Sequence, residues 1–153
     1  QALQQMPVVE KLGAALADRV RSEAIQTVVA PAMGGLVIGQ EVARQLGVRF
    51  IFVEKDDDGA LVMRRGFTLA PDEKVLIVED VITRGGRLQE TIDIVRAQSA
   101  DLRAVTIVVD RSNGNYQPDV PLHSLLAMEV ETFEPDNLPM DLQASEAVKP
   151  GSK

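Results

Sequence analysis

The sequence predicts an α/β fold: an open, mainly parallel twisted sheet flanked by helices. Short β-branched runs of about five residues alternate with amphipathic stretches of helix length. The runs are apolar throughout, as strands covered on both faces are. A strand–helix–strand–helix order implies right-handed crossovers and parallel neighbours. With 153 residues, 45% of them apolar, the chain suits one domain spanning residues 1–153 and built on one core. Aromatics are only 3%, so that core is aliphatic.

Pro7 fits the first turn of a helix that carries Val8, Val9, Leu12, Ala15, Leu16 and Val20 at spacings of three and four. Residues 27–30 read as a strand and residues 31–35 as a turn. A helix follows from Leu36 to Leu46, stopped by Gly47. Val48 to Glu54 is the next strand, residues 55–59 form a polar loop, and Leu61 to Arg65 is extended. Lys74 to Val78 is the clearest strand. Gly85-Gly86 precedes a helix with Leu88, Ile92 and Val95 on one face. Ala104 to Val109 is a strand, residues 110–121 a loop, Ser124 to Phe133 a further strand, and the tail from Glu134 irregular.

Net charge is −7, which argues against nucleic acid and anionic membrane as partners. A phosphorylated ligand would need backbone amides, a few placed cations or a metal ion. No apolar run approaches the ~20 residues of a membrane span, and no secretory pattern opens the chain. The lack of cysteine excludes disulfides and thiolate metal sites and fits a reducing cytoplasm. The single His123 excludes a histidine metal cluster. The chain opens on Gln1, which leads us to expect a longer natural N-terminus.

Ligands of open parallel sheets sit at the carboxyl ends of the strands. The first candidate turn is Ala32-Met33-Gly34-Gly35, where glycines admit close backbone approach and a helix N-terminus offers free amides for a diphosphate. Taken alone, such a glycine pair more often serves to pack helix on sheet. The second turn is more specific. The strand Val75–Val78 runs into Glu79 and Asp80, then Val81, Ile82, Thr83, Arg84, Gly85, Gly86 and Arg87. Two acids ending an apolar strand are costly without partners, and a sugar diol can donate to both. Amides of residues 83–86 can converge on a phosphate, with a helix dipole behind them. A helix cap by Asp80 or Thr83 would need only one of these residues.

The segment VLIVEDVITRGGR (75–87) resembles the signature of type I phosphoribosyltransferases. PAMGGLVIGQEVARQLGVRFIFVEKDDDGALVMRRGF, VVDRSNG and the late stretches VPLHSLLAMEVETFEPD and LPMDL…VKPGS are similar to bacterial orotate phosphoribosyltransferases. The resemblance implies transfer of a phosphoribosyl group from phosphoribosyl diphosphate to orotate, with Mg²⁺ held mainly by substrate and water, in a homodimer. It gives Glu79 and Asp80 the ribose hydroxyls, residues 83–87 the 5-phosphate, the 32–35 turn the diphosphate, and Thr83 and Arg111 the orotate. It places Lys55 on a mobile loop that brings a cation to the diphosphate, with Arg64 and Arg65 as partial substitutes. Arg84 and Gly86 depart from the small or hydroxyl residues usual in the signature, and Gly34 stands where some relatives carry lysine. The family's N-terminal hood, which encloses orotate, has no counterpart before Gln1. Two other readings compete: transfer to another nucleobase, and a non-catalytic regulator that senses phosphoribosyl diphosphate.

Overall fold

The computed structural model describes residues 2–131 and 133–145. Among them are three α-helices, α1 (Met6–Asp18), α2 (Gly35–Leu46) and α3 (Gly86–Ala97). The strands are β1 (Thr27–Pro31), β2 (Arg49–Lys55), β3 (Leu61–Val62), β4 (Lys74–Ile82), β5 (Asp101–Asp110) and β6 (Leu122–Ala127). They form one sheet in the order β3-β2-β1-β4-β5-β6. Every pairing is parallel except β2 with β3, an antiparallel hairpin at the edge.

The uninterrupted apolar runs have their expected cause. Val75 and Ile77 enter a core that also holds Val29, Ile51, Leu88, Ile92 and Val95. Leu76 and Val78, between them, enter a second core with Leu16, Val20, Val28, Ile38 and Val42. Alternate side chains of one strand thus serve α3 on one face and α1 and α2 on the other. Pro7 stands in the first turn of α1, and Gly47 ends α2 in the left-handed conformation at φ 71°. The predicted α1 stripe is right for Val9 and Leu16, but Val8 turns outward.

Several boundaries move. β4 continues to Ile82, because β5 runs on beside it and pairs Glu79 with Ile107 and Val81 with Val109. Glu79 and Asp80 therefore lie inside a strand rather than after one. β3 covers only Leu61 and Val62; the chain turns at Arg65, φ 59°. β6 ends at Ala127 instead of Phe133, and Val130 pairs with the Asn113 side chain rather than with a neighbouring strand. β5 and β6 are parallel with no helix between them, so the 111–121 loop makes the whole crossover. Thr132 and the VKPGS stretch of the resemblance lie outside the described residues.

Gly39 brings α2 onto β1. A Cβ there would lie 2.8 Å from the Ala30 Cβ and 2.9 Å from the Phe50 ring. Gly39→Val should therefore lower stability by about 2–3 kcal/mol through overpacking, whereas Gln40→Ala on the exposed side of the helix should stay within about 0.5 kcal/mol of the parent. Urea midpoints measure both, and equal midpoints would remove the close contact from the account.

Candidate active site

Five parallel strands end at one edge of the sheet, and most of the candidate residues gather there. β1 leads through Ala32 and Met33 into α2, with a cis peptide between those two residues. The two glycines of this turn do different jobs. Gly35 packs helix on sheet: its Cβ would meet the Val78 carbonyl oxygen at 3.1 Å and Ala30 Cβ at 3.2 Å. Gly34 faces the acids, since a Cβ there would lie 2.8 Å from Asp80 Oδ1. The turn after β1 and the acid pair on β4 thus form one continuous surface, and a side chain at position 34 would intrude on it. Met33, 80% exposed, projects from the same turn.

Glu79 is only 7% exposed. Its Oε1 accepts from the Asp80 amide at 3.0 Å, and Asp80 Oδ1 accepts from the Val81 amide at 2.7 Å. Burial pushes the Glu79 carboxyl up to about 8, and the neighbouring Asp80 adds to the rise. The more exposed Asp80 is thus the open member of the pair, and Glu79 is a carboxyl waiting for a donor or a cation.

The loop after β4 is held by contacts to distant residues. Gly85 stands at the N-cap of α3 in the left-handed conformation at φ 75°, and no side chain caps that helix. Thr83 and Asp80 are therefore not spent on capping. The Tyr116 ring lies directly against Gly85 where any Cβ would go, and Tyr116 Oη donates to Gln89 Oε1 at 2.9 Å. Thr83, Arg84, Gly86 and Arg87 are exposed. With Glu79, Val81 and Ile82 they border a cavity of about 360 Å³. A second cavity of about 500 Å³ opens on the other side of Thr83 and Arg84, lined also by Arg111, Ser112 and Phe133. The Arg111 amide donates to the Ile82 carbonyl at 2.9 Å, which fixes Arg111 beside Thr83. The structure therefore brings together the acid pair, the 32–35 turn, the 83–87 loop and Arg111.

Lys55 stands apart. It ends β2, is exposed and borders neither cavity. The residues after it form a closed hairpin turn: Asp56 Oδ1 accepts from the amides of Asp58 and Ala60, and the Asp56 amide donates to the Ala60 carbonyl. Arg87 is partly committed to this hairpin, with Nη1 donating to the Gly59 carbonyl at 3.0 Å and to Glu90 at 2.8 Å. Arg65 pairs with Glu54 at 2.9 Å and lies over the Phe52 ring, so it serves the edge of the sheet. Tyr116 and Asn113 escaped the sequence reading. The one available signal was that Tyr116 is the only tyrosine, set in a polar loop.

The acids on the central strand, the turn after β1 and the glycine loop at the following helix thus share one crevice at the carboxyl ends of a parallel sheet. The model of the phosphoribosyl transferase domain matches residues 1–135. Relatives by sequence include the orotate phosphoribosyltransferase of Desulforamulus reducens, 46% identical over all of this chain and 80% of that protein. That of Caldicellulosiruptor bescii is 42% identical over 99% of this chain and 79% of its own length. Among solved structures, adenine phosphoribosyltransferase from Thermoanaerobacter pseudethanolicus superposes with a TM-score of 0.75 over 83% of this chain and 84% of that one, at 17% identity, a likeness of fold. The chain belongs to the phosphoribosyltransferase family, among the orotate phosphoribosyltransferases.

Two predictions follow from the geometry. Folded Glu79 keeps its proton to about pH 8, whereas the unfolded chain gives it up near 4.5. Its contribution is therefore fully present below pH 4.5 and lost as pH rises through 8. Relative to the parent, Glu79→Gln should gain more than about 1 kcal/mol of stability between pH 5 and pH 9; parallel urea titrations would show no such divergence if Glu79 were freely solvated. Tyr116→Ala should raise KM for the phosphorylated sugar substrate about tenfold by freeing the Gly85 loop, with Tyr116→Phe close to the parent because the ring does the packing. A larger loss in Tyr116→Phe than in Tyr116→Ala would point to the hydroxyl instead.

Proposed function

We propose that this protein transfers the phosphoribosyl group from phosphoribosyl diphosphate to orotate, giving orotidine 5-monophosphate and diphosphate, a step of pyrimidine nucleotide synthesis. The observation that carries the proposal is the shared 83–84 loop: on one side it closes a cavity against Glu79, on the other a cavity against Arg111. A sugar phosphate and a base joined to it need two such compartments side by side.

In this reading Glu79 and Asp80 accept hydrogen bonds from the ribose hydroxyls. The amides of 83–86, at the N-terminus of α3, hold the 5-phosphate, with Arg84 and Arg87 as nearby cations. Ala32, Met33, Gly34 and Gly35 face the diphosphate, and Lys55, beyond the end of β2, supplies a cation to it. Thr83 and Arg111 hold orotate; the guanidinium fork suits a carboxylate or a ring carbonyl. The bond from the anomeric carbon to the diphosphate oxygen breaks, a ring nitrogen of orotate forms the new bond, and that nitrogen gives up its proton. Positive charge developing on the sugar is stabilised by the acid pair, with Glu79 becoming a carboxylate once the bound hydroxyls and cation replace its lost hydration. No covalent enzyme intermediate is required.

The oxygen-rich acid pair fits a hard cation, and no cluster of three or more His, Cys, Asp or Glu side chains gathers among the described residues. Mg²⁺ would therefore take most of its ligands from the diphosphate, the ribose and water, and would neutralise the leaving group. Exposed Met6 and Val37, which border one surface groove, support association as a homodimer. The absence of cysteine accords with a cytoplasmic protein, and no described helix is long and apolar enough to cross a membrane.

Orotate should be consumed only when phosphoribosyl diphosphate and Mg²⁺ are both present, seen as loss of its ultraviolet absorbance. Turnover with uracil or a purine but not orotate would overturn the choice of base, and binding without turnover of any base would favour a regulator. Asp80→Asn should lower kcat at least about a hundredfold while the melting temperature stays nearly unchanged. An unfolded variant would instead make the acid pair structural.

A further inference from the structure

The larger cavity has a second wall that the transfer reaction above leaves unassigned. One side is Thr83, Arg84 and Arg111; the other is made by Val130 and Phe133, from the segment after β6. This segment follows the sheet only as far as Met128, whose amide donates to the Asp110 carbonyl at 2.8 Å. Beyond it, among the described residues, Val130 is held by one side chain. Asn113 Nδ2 donates to the Val130 carbonyl and Asn113 Oδ1 accepts from the Val130 amide, both at 3.2 Å. A side-chain amide thus does what a strand neighbour would do, filling both backbone groups of one residue. Asn113 sits at φ 53°, a left-handed conformation that asparagine tolerates better than most residues.

Phe133 differs from the other phenylalanines. Phe50, Phe52 and Phe67 pack in sequence against one another near β2. Phe133 is 42% exposed and borders the cavity. Ser112, almost fully buried, lines the same cavity, and its Oγ has no protein partner. The oxygen is itself buried, so the groups that open on the space are the Phe133 ring, the Arg84 and Arg111 guanidinium groups and the Glu134 carboxyl. Two cations against one acid beside an apolar ring suit a flat, polar-edged, anionic heterocycle.

We propose that Phe133 is the apolar face against which the base packs, and that Asn113 is the positioning residue that holds Val130, which forms the same wall beside Phe133. The inference rests on reading this cavity as the base site. It makes the loop after β5 act twice: Arg111 grips the edge of the base, and two residues later Asn113 fastens the wall that covers its face.

Calorimetry with orotidine 5-monophosphate and with ribose 5-phosphate tests it without requiring turnover. In the unmodified protein the nucleotide should bind more tightly than the sugar phosphate, the difference measuring the base. Phe133→Ala should weaken the nucleotide about tenfold and leave ribose 5-phosphate within about twofold. Asn113→Ala should act in the same direction, and Asn113→Asp, which keeps the acceptor for the Val130 amide, should fall between it and the parent. Equal losses for both ligands, or no loss for the nucleotide, would overturn the inference while leaving the base site intact. If the orotate ring adds no affinity in the unmodified protein but adenosine monophosphate gains from its base and loses that gain in Phe133→Ala, the wall stands and orotate falls. If no base adds affinity, the cavity is not a base site and the inference falls with it.

Discussion

Glu79 is a carboxyl carried on a strand whose preceding residues are almost fully buried, with β1 and β5 on either side and helices over both faces. Placing an acid there is unfavourable unless something compensates the lost hydration. Within the protein it finds one backbone amide, that of Asp80, and so it holds its proton to about pH 8. The surrounding backbone is arranged so that more can come from outside. Position 34 has no side chain, which leaves the space beside the Asp80 oxygens open. Position 85 has none either, which lets Tyr116 press on the loop that follows. The acid pair, the turn after β1 and the loop after β4 therefore form one device: an under-satisfied pair of carboxyls with an open approach at Gly34 and a following loop fastened by Tyr116 at Gly85.

Such a device needs a rigid support, and the sheet supplies it. β4 is the central strand and pairs over most of its length with β5, through Ile82. Because pairing persists past the acids, Glu79 and Asp80 are held by backbone hydrogen bonds on the strand itself rather than by a loose loop. Local freedom begins only at Thr83. From there the chain is fixed at intervals: Arg111 bonds to the Ile82 carbonyl, Tyr116 covers Gly85, and Arg87 reaches the hairpin at Gly59. Arg87 thus ties the loop before α3 to the turn between β2 and β3.

The strands were legible because buried parallel strands leave a signature that needs no partner to be read: short, continuous, β-branched runs. Their ends were not, because an end is set by the neighbour. β4 outlasts Val78 because β5 is long, and β6 stops at Ala127 because Asn113, 17 residues earlier in the chain than Val130, captures the backbone there. The site divides the same way. Glu79, Asp80 and the glycines could be found from sequence because each is expensive or permissive in a place where an ordinary residue would serve. Tyr116 and Asn113 are unremarkable loop residues by type; their importance comes from contacts 27 and 17 positions away that only the fold creates. Arg87 and Arg65 show the converse. Both are cations in a plausible place, yet each is engaged with a neighbouring carboxylate, so charge in the sequence overstates the charge free to meet a phosphate.

The division of the loop into two sides also explains why half of the reaction is easier to recognise than the other. In the assignment proposed above, the sugar-phosphate side is built from β4, its loop and the N-terminus of α3, elements contiguous in sequence that answer the fixed demands of a diol and a phosphate. The base side in that assignment is assembled from three separate stretches: Thr83 and Arg84, the 111–115 loop and the segment after β6. VVDRSNG and VPLHSLLAMEVETFEPD point to orotate by family resemblance alone, since no residue type in them announces a base, and a fold shared with enzymes for a different base cannot supply one. Selectivity must therefore come from which side chains the two late segments turn into the cavity. Arg111 offers charge at its edge and Phe133 a flat apolar surface, with the Glu134 carboxyl on the same rim. A carboxylated pyrimidine can use the guanidinium and the ring at once, whereas an uncharged purine would gain from the ring alone.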